Sequence, residues 1–193
     1  MILLWAYLIG SFSPAYILIK IFKKEDIRNY GSKNAGFTNV LRNYGIKLGL
    51  TTLIIDVLKG VFVIYLCNKY YPDYIFSAML FTIIGHVFPF YMNFRGGKGI
   101  ATFFGCCGFI APHLTIISLV IFIILVITTK YVSLGSMISI LVNSVLLIIF
   151  SKLDIIDSLM LIFSLSLAIF KHKGNIIRLI NGTENKITLR RRK

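Results

Sequence analysis

The sequence predicts an all-α, polytopic integral membrane helix bundle. Three observations carry this: a mean hydropathy of +0.83 with 57% hydrophobic residues, a series of apolar runs close to the roughly 20 residues a spanning helix needs, and short basic loops between those runs. Soluble domains rarely carry so much apolar surface. Seven acids stand against 21 bases, for a net charge of +14. In a soluble chain that excess would point to nucleic acid. Here the bases lie beside apolar runs, so the expected partners are anionic headgroups and phosphates, not nucleic acid.

Taken in order, the first run covers 2–22. It is apolar from the start and lacks a basic leader, so it is expected to be a retained span and not a cleaved signal. The next runs are 48–67 and 75–92, and the last two are 131–150 and 155–170. The stretch 100–129 is long for one span and short for two, with Pro112 and His113 near its middle, where proline favours a break. Basic loops stay cytoplasmic. Lys20, Lys23, Lys24, Arg28, Lys33, Arg42 and Lys47 follow the first run, and Lys171 to Lys193 hold the terminal cluster. The amino terminus is therefore expected outside and the carboxyl terminus in the cytoplasm. Both ends fit only if 100–129 crosses twice. That count gives seven spans, two of them short, and leaves only Lys59, Lys69 and Lys152 off the inner side. A re-entrant hairpin at 100–112 is the alternative, sheltered by protein or lining a wet cavity. No repeat or low-complexity tract divides the chain, so residues 1–193 are expected to form one domain, with 188–193 a basic mobile tail.

Two glycine-rich basic loops fall on the inner side. The first runs from Gly31 to Gly45. Ser32, Asn34, Thr38 and Asn39 supply hydroxyls and amides, Gly31 and Gly36 let the backbone bend round an anion, and Arg42 follows Asn39 by one helical turn. A polar turn capped at Thr38 or Asn39 accounts for the same residues without function. The second reads Arg95-Gly96-Gly97-Lys98-Gly99 before a helix start, a common anion-site pattern. It lacks Walker spacing, and a glycine turn with a snorkelling lysine is the plainer account. Asp56 and Lys59 lie within a span at i and i+3, where charge is costly; they pair structurally or orient the loops. His86 is placed to support the second loop. In the terminal segment His172, Asn175 and Arg178 form a polar stripe, with Glu184 close in sequence to hold Arg178 or Lys98; an amphipathic surface helix is the simpler reading. Cys67, Cys106 and Cys107 sit in or beside apolar runs without metal-site spacing, so no metal and no cofactor are expected.

At these motifs the chain resembles the PlsY family of bacterial glycerol-3-phosphate acyltransferases, essentially end to end. The resemblance rests on Ser32, Asn34, Gly36, Thr38, Asn39 and Arg42; on Gly85-His86 with Phe88-Pro89 and Phe90, followed by Gly96-Gly97-Lys98-Gly99 with Ala101 and Thr102; and on His172, Asn175, Ile176, Arg178, Leu179, Gly182 and Glu184. Asp56, Lys59 and Gly60, and Tyr131-Val132-Ser133, also match. Lys33, Ala35 and Phe37 depart from the family pattern and bear on loop stiffness, but no polar group of the motifs is lost.

The resemblance implies a seven-helix bacterial inner-membrane protein with its site at the cytoplasmic face. It implies acyl transfer from acyl-phosphate to the 1-hydroxyl of sn-glycerol 3-phosphate, giving lysophosphatidic acid and inorganic phosphate, the first step of phospholipid synthesis. The partners implied are the two substrates, membrane lipid and the enzyme that makes acyl-phosphate. Ser32, Lys98, His172 and Asn175 are the expected catalytic residues. Asn34, Thr38, Asn39, Arg42, Gly96, Gly97, Gly99, Ser133, Ser136, Arg178 and Glu184 are the expected substrate-binding residues, with Asp56, Lys59 and His86 in support.

No H-x-x-x-x-D motif is present: the residues five after His86, His113 and His172 are Tyr91, Ser118 and Ile177. No nucleophilic triad is recognisable either. The expected route is therefore substrate-assisted, the phosphate taking the hydroxyl proton, in preference to His172 as base. A transporter of phosphorylated solutes is the alternative function. Against it, the outer loops hold no second anion cradle.

Overall fold

Proline divides the first apolar run. Helix α1 (Ile2–Ser11) stops at Phe12, and α2 (Pro14–Lys23) restarts with Pro14 in its first turn and Ser13 as N-cap. A missing N–H costs nothing at that position. The sequence predicts one continuous helix over 2–22; the break is the difference, and side chains satisfy the backbone groups it frees. Tyr91 Oη donates to Ser11 O (3.0 Å) and accepts from Ser13 N (2.9 Å), and Lys59 Nζ donates to Phe12 O (2.8 Å). Irregular backbone at membrane depth survives only with such partners.

The computed structural model describes residues 1–187; the expected mobile tail at 188–193 lies outside the described residues. After α2 come α3 (Phe37–Tyr44), α4 (Ile46–Tyr70), α5 (Ile75–Val87), α6 (Ile100–Ile110), α7 (Pro112–Thr129), α8 (Val132–Phe150), α9 (Ile155–Phe170) and α10 (Lys173–Ile180). No strand occurs among the described residues. The break between α6 and α7 falls at Ala111, beside the proline that predicts it.

Five segments are long and apolar enough to cross a membrane: Ile2–Lys23, Ile46–Tyr70, Pro72–Met92, Pro112–Thr129 and Val132–Phe150. Helix α9 adds a sixth if it is counted together with α10, from which a 55° bend separates it. The 11 residues of α6 rise only about 16 Å at 1.5 Å each, so length alone does not make it a span. Isoleucine-rich faces of α4 and α7, including Ile54, Leu58, Ile116, Ile123 and Ile127, are exposed where lipid would lie.

Helix α4 is central, packing on α6, α3 and α5, while α1 lies on α5 and α7 on α8. The α1–α5 crossing brings backbones together. A Cβ on Gly85 would run into Tyr7 O, with Ser11 N at 2.7 Å and Gly10 C at 3.0 Å. Such proximity gains dispersion and weak polar contacts that larger residues would forfeit. Gly108 differs, since a Cβ there would meet only Thr115 Cγ2 at 4.0 Å. Gly85→Ala is expected to cost about 1–3 kcal/mol by overpacking and to lower the thermal midpoint in detergent. Gly108→Ala, which gains helix propensity of about 1 kcal/mol, is expected to leave that midpoint unchanged or raise it.

Candidate active site

The second loop is built by the end of α5. Gly96 N donates to Val87 O (3.0 Å) and Gly97 N to His86 O (3.1 Å), so these N–H groups cap the last carbonyls of α5. This corrects the expectation that Gly96 and Gly97 offer donors to an anion. Their lack of side chains matters instead: a Cβ on Gly97 would strike His86 Nε2 and lie 2.7 Å from Ala35 O. Backbone donors come from further along. Gly99, at φ +83°, turns the chain into α6, whose first N–H groups have no partner within the helix. Lys98, Gly99, Ile100 and Ala101 all line one cavity.

The first loop is organised by Asn39, which is buried. Its Nδ2 donates to Tyr30 O and Asn34 O (both 3.0 Å), and its Oδ1 accepts from Ser32 N (3.0 Å) and Asn43 Nδ2 (2.9 Å). Asn39 therefore shapes the loop, and its amide is not free for substrate, contrary to expectation. The hydroxyls of Ser32 and Thr38 line the cavity, and neither is tied to another described residue. Arg42 donates to Asn185 O (3.1 Å).

The third motif closes the ring. Helix α10 starts at His172, whose Nδ1 lies 2.8 Å from Ala168 O. The carbonyl can only accept, so Nδ1 carries the proton and Nε2 keeps its lone pair. Lys98 Nζ donates to Asn175 Oδ1. Glu184 gathers the remaining donors: Oε1 accepts from Asn175 Nδ2 (2.8 Å) and Ser133 Oγ (3.0 Å), and Oε2 from Arg178 Nε (2.8 Å). Of the two cations expected to pair with Glu184, the structure selects Arg178. Ser136 Oγ donates to Val132 O (2.8 Å), so the hydroxyl protons of Ser133 and Ser136 are both committed within the protein.

Burial shapes the charges. It pushes Lys98 down to about 8, helped by Arg178, Arg42 and Lys171 and opposed by Glu184. It also pushes His172 down to about 4, with Lys98 adding to the effect. Beneath the loops, Lys59 Nζ lies 2.7 Å from Asp56 Oδ1 and 2.7 Å from His86 Nδ1, all three residues buried. Asp56 and His86 reach the cavity wall; Lys59, Gly96 and Gly97 do not.

The cavity has a volume of about 420 Å³. Its lining has a polar part, which includes Arg42, Lys98, Arg178 and His172, and an apolar part, which includes Leu53, Val57, Phe104, Leu119 and Phe122. Sequence reasoning missed this apolar part, because leucines and phenylalanines in spans carry no distinguishing signal. It also missed the Asn185 carbonyl that holds Arg42. No group of acidic, histidine and cysteine side chains suited to a metal occurs among the described residues.

A family model for glycerol-3-phosphate acyltransferase matches residues 1–182. A glycerol-3-phosphate acyltransferase of Finegoldia magna is 45% identical over 182 residues, covering 94% of this chain and 92% of the relative. One from Thermoanaerobacter pseudethanolicus is 45% identical over 187 residues, with the same coverage. Two crystal structures of PlsY (YgiH), an integral membrane glycerol 3-phosphate acyltransferase, superpose on the fold. The glycerol 3-phosphate form gives a TM-score of 0.90 at 30% identity, and the lysophosphatidic acid form 0.87 at 28%; each covers 97% of this chain and 94% of that structure. On its sequence and its fold, the chain belongs to the PlsY family of glycerol-3-phosphate acyltransferases.

Proposed function

We propose that this protein transfers a fatty acyl group from acyl-phosphate to the 1-hydroxyl of sn-glycerol 3-phosphate. The observation that carries the reading is one cavity lined both by cations, Arg42, Lys98 and Arg178, and by apolar side chains. An acyl-phosphate has that polarity, and glycerol 3-phosphate adds a second phosphate for the same cations. Arg42, Arg178, Lys98 and the first N–H groups of α6 supply the charge and donors for two anions. The acyl chain lies along Leu53, Val57 and Phe104.

In the reaction, the glycerol hydroxyl oxygen attacks the carbonyl carbon, and a carbon–oxygen bond forms. The bond from that carbon to the phosphate oxygen breaks. The hydroxyl proton passes to a phosphate oxygen, and lysophosphatidic acid and inorganic phosphate leave. A mixed anhydride has a good leaving group, so positioning carries most of the catalysis; orientation of bound partners supplies roughly 7–11 kcal/mol. Ser32, His172 and Asn175 hold the glycerol phosphate. His172 has a free Nε2 lone pair, which favours it as the second candidate for proton acceptor. Its depressed pKa of about 4 makes it a weak one.

The chain is read as seven spans with the amino terminus outside, α6 and α7 forming a helical pair that descends and returns. The site then faces the cytoplasm in the bacterial inner membrane, beside the enzyme that supplies acyl-phosphate.

Purified protein offered palmitoyl-phosphate and palmitoyl-CoA side by side is expected to acylate glycerol 3-phosphate from the phosphate donor alone. Lys98→Ala is expected to abolish transfer. No product from either donor in a folded sample would sink the reading and direct attention to solute flux in liposomes.

His172→Ala should reduce kcat less than tenfold while both substrates still bind. A fall of 10²–10⁴, the usual worth of general-base catalysis, would make His172 the proton acceptor.

Lys98 must be charged to hold phosphate. With its pKa lowered to about 8, kcat/KM should decline as pH rises through about 8. Lys98→Arg should remove that alkaline limb, because arginine stays protonated. His172, with its pKa near 4, should contribute no limb between about pH 6 and 9.

A further inference from the structure

We infer that Phe122 is a specificity-determining residue: its ring, seated on Gly135, sets the width of a seam between α4 and α7 through which the acyl chain passes from the cavity to lipid. The inference rests on the acyl-phosphate reading above and deepens it.

The seam follows from where the helices close on one another and where they do not. The apolar lining comes from Leu53 and Val57 of α4, Phe104 of α6, and Leu119 and Phe122 of α7. Between α4 and α6 the backbones touch. A Cβ on Gly105 would strike Val57 O, and one on Gly60 would lie 2.5 Å from Thr102 O and 3.0 Å from Cys106 N. An acyl chain cannot pass there. The approach of α7 to α8 is also close, because a Cβ on Gly135 would lie 2.9 Å from Val126 Cγ2, 3.2 Å from Phe122 Cδ2 and 3.3 Å from Phe122 O. Helices α4 and α7 differ. Both pack on α6 and both border the cavity, but among the described residues they do not pack closely on each other.

The surfaces on either side of that gap agree. On α4, Leu53 and Val57 are half-buried while Ile54 and Leu58 beside them are exposed. On α7, Leu119 and Phe122 are half-buried while Val120 and Ile123 beside them are exposed. Each helix turns one edge to the cavity and the adjacent edge to lipid. A chain that starts among these residues reaches lipid without parting two packed helices.

Two aromatic rings line this route. Phe104 is buried and meets Phe103 edge-on, with centroids 6.1 Å apart and 81° between planes. Phe122 is half-buried, with Gly135 behind it. The missing side chain of Gly135 lets the Phe122 ring lie back against α8, and a methyl group there would press the ring away from α8. Selectivity then follows from size. A straight chain is slender, whereas a methyl branch level with Phe122 has to displace the ring. One carbon too many in an apolar pocket is worth about 10–200-fold in kcat/KM. Carbons beyond the seam lie among lipid tails, where a branch meets no fixed wall. The protein therefore selects against branches near the carbonyl and is indifferent to branches near the tail end.

The test compares donors on the full-length protein in lipid nanodiscs: palmitoyl-phosphate, analogues with one methyl on the fourth, sixth or eighth carbon, and an analogue with the methyl next to the tail end. The wild type should discriminate about 10–200-fold in kcat/KM against at least one inner branch, and less than about threefold against the outer one. Phe122→Ala should bring the inner-branch discrimination below about threefold, with KM for glycerol 3-phosphate unchanged. Phe122→Leu should relax it in the same direction, and decides the matter if the alanine variant does not fold. The ratio compares donors on one preparation, so partial unfolding cancels from it. Gly135→Ala should sharpen the discrimination, and adding Phe122→Ala should abolish that gain, which marks Gly135 as a positioning residue acting through the ring. Equal kcat/KM for all donors in the wild type, or discrimination unchanged in the Phe122 variants, would overturn the inference and leave the acyl-phosphate reading intact. A wild-type protein inactive with palmitoyl-phosphate would instead overturn that reading, and this inference with it.

Discussion

One buried ammonium holds the architecture together. Lys59 reaches the break between α1 and α2 through Phe12 O, its own helix through Asp56, and α5 through His86. Lys59 is 6% exposed, Asp56 1% and His86 4%. A charge so placed in a membrane helix is tolerable only when its donors are satisfied, and here each donor ties down a different segment. The broken first span would otherwise present an unpaired carbonyl to lipid. The residue that follows His86 in this chain of support is Gly97, packed on the imidazole and bonded to its carbonyl. Lys98 comes next. The position of the reactive loop is thus fixed from below, by a salt bridge whose lysine itself lies off the cavity wall.

The upper side of the site is fixed by a second ion pair with different physics. Glu184 is buried, while Arg178 remains partly exposed. Glu184 collects protons from α8, α10 and Arg178, and Asn175 passes the link on to Lys98. One carboxylate therefore offsets part of the repulsion among Lys98, Arg42 and Arg178 before any phosphate arrives. Without it, three cations around one cavity would oppose folding. With it, the cavity stays short of neutral, which favours an incoming dianion. Burial, more than the neighbouring cations, lowers the pKa of Lys98, and Glu184 opposes the fall.

Much of this was legible in the sequence. Apolar runs bounded by basic loops gave the helices, and Pro112 marked the break after α6. The three polar motifs converge on one cavity as expected. What escaped was the use of individual groups. Asn39 looks like a ligand in a loop of ligands, yet its amide holds the loop itself. Gly96 and Gly97 look like an anion nest, yet their N–H groups finish α5. Both errors share a cause: a motif shows which groups are available, and only the fold shows which are already spent. The break at Phe12 escaped for a related reason. Ser13-Pro14 is an ordinary helix start, and nothing local distinguishes a start from a kink until Tyr91 and Lys59 are seen to fill it.

The same distinction between available and committed groups bears on how the proposed reaction proceeds. Most hydrogen-bonding groups around the cavity are engaged: Ser133, Ser136, Asn39 and Asn175 all bond within the protein. Those left facing the space are the hydroxyls of Ser32 and Thr38, the α6 N-terminus and His172 Nε2. Apart from that imidazole these are donors or weak acceptors, and His172 is held far below neutrality by burial and Lys98. A site furnished this way orients two anions and stabilises charge as it forms, but has little to offer as a base. The strongest acceptor that can enter it is phosphate itself. Proton removal by the substrate is then what the arrangement leaves open, and the protein's contribution lies in geometry and in donors aimed where charge appears.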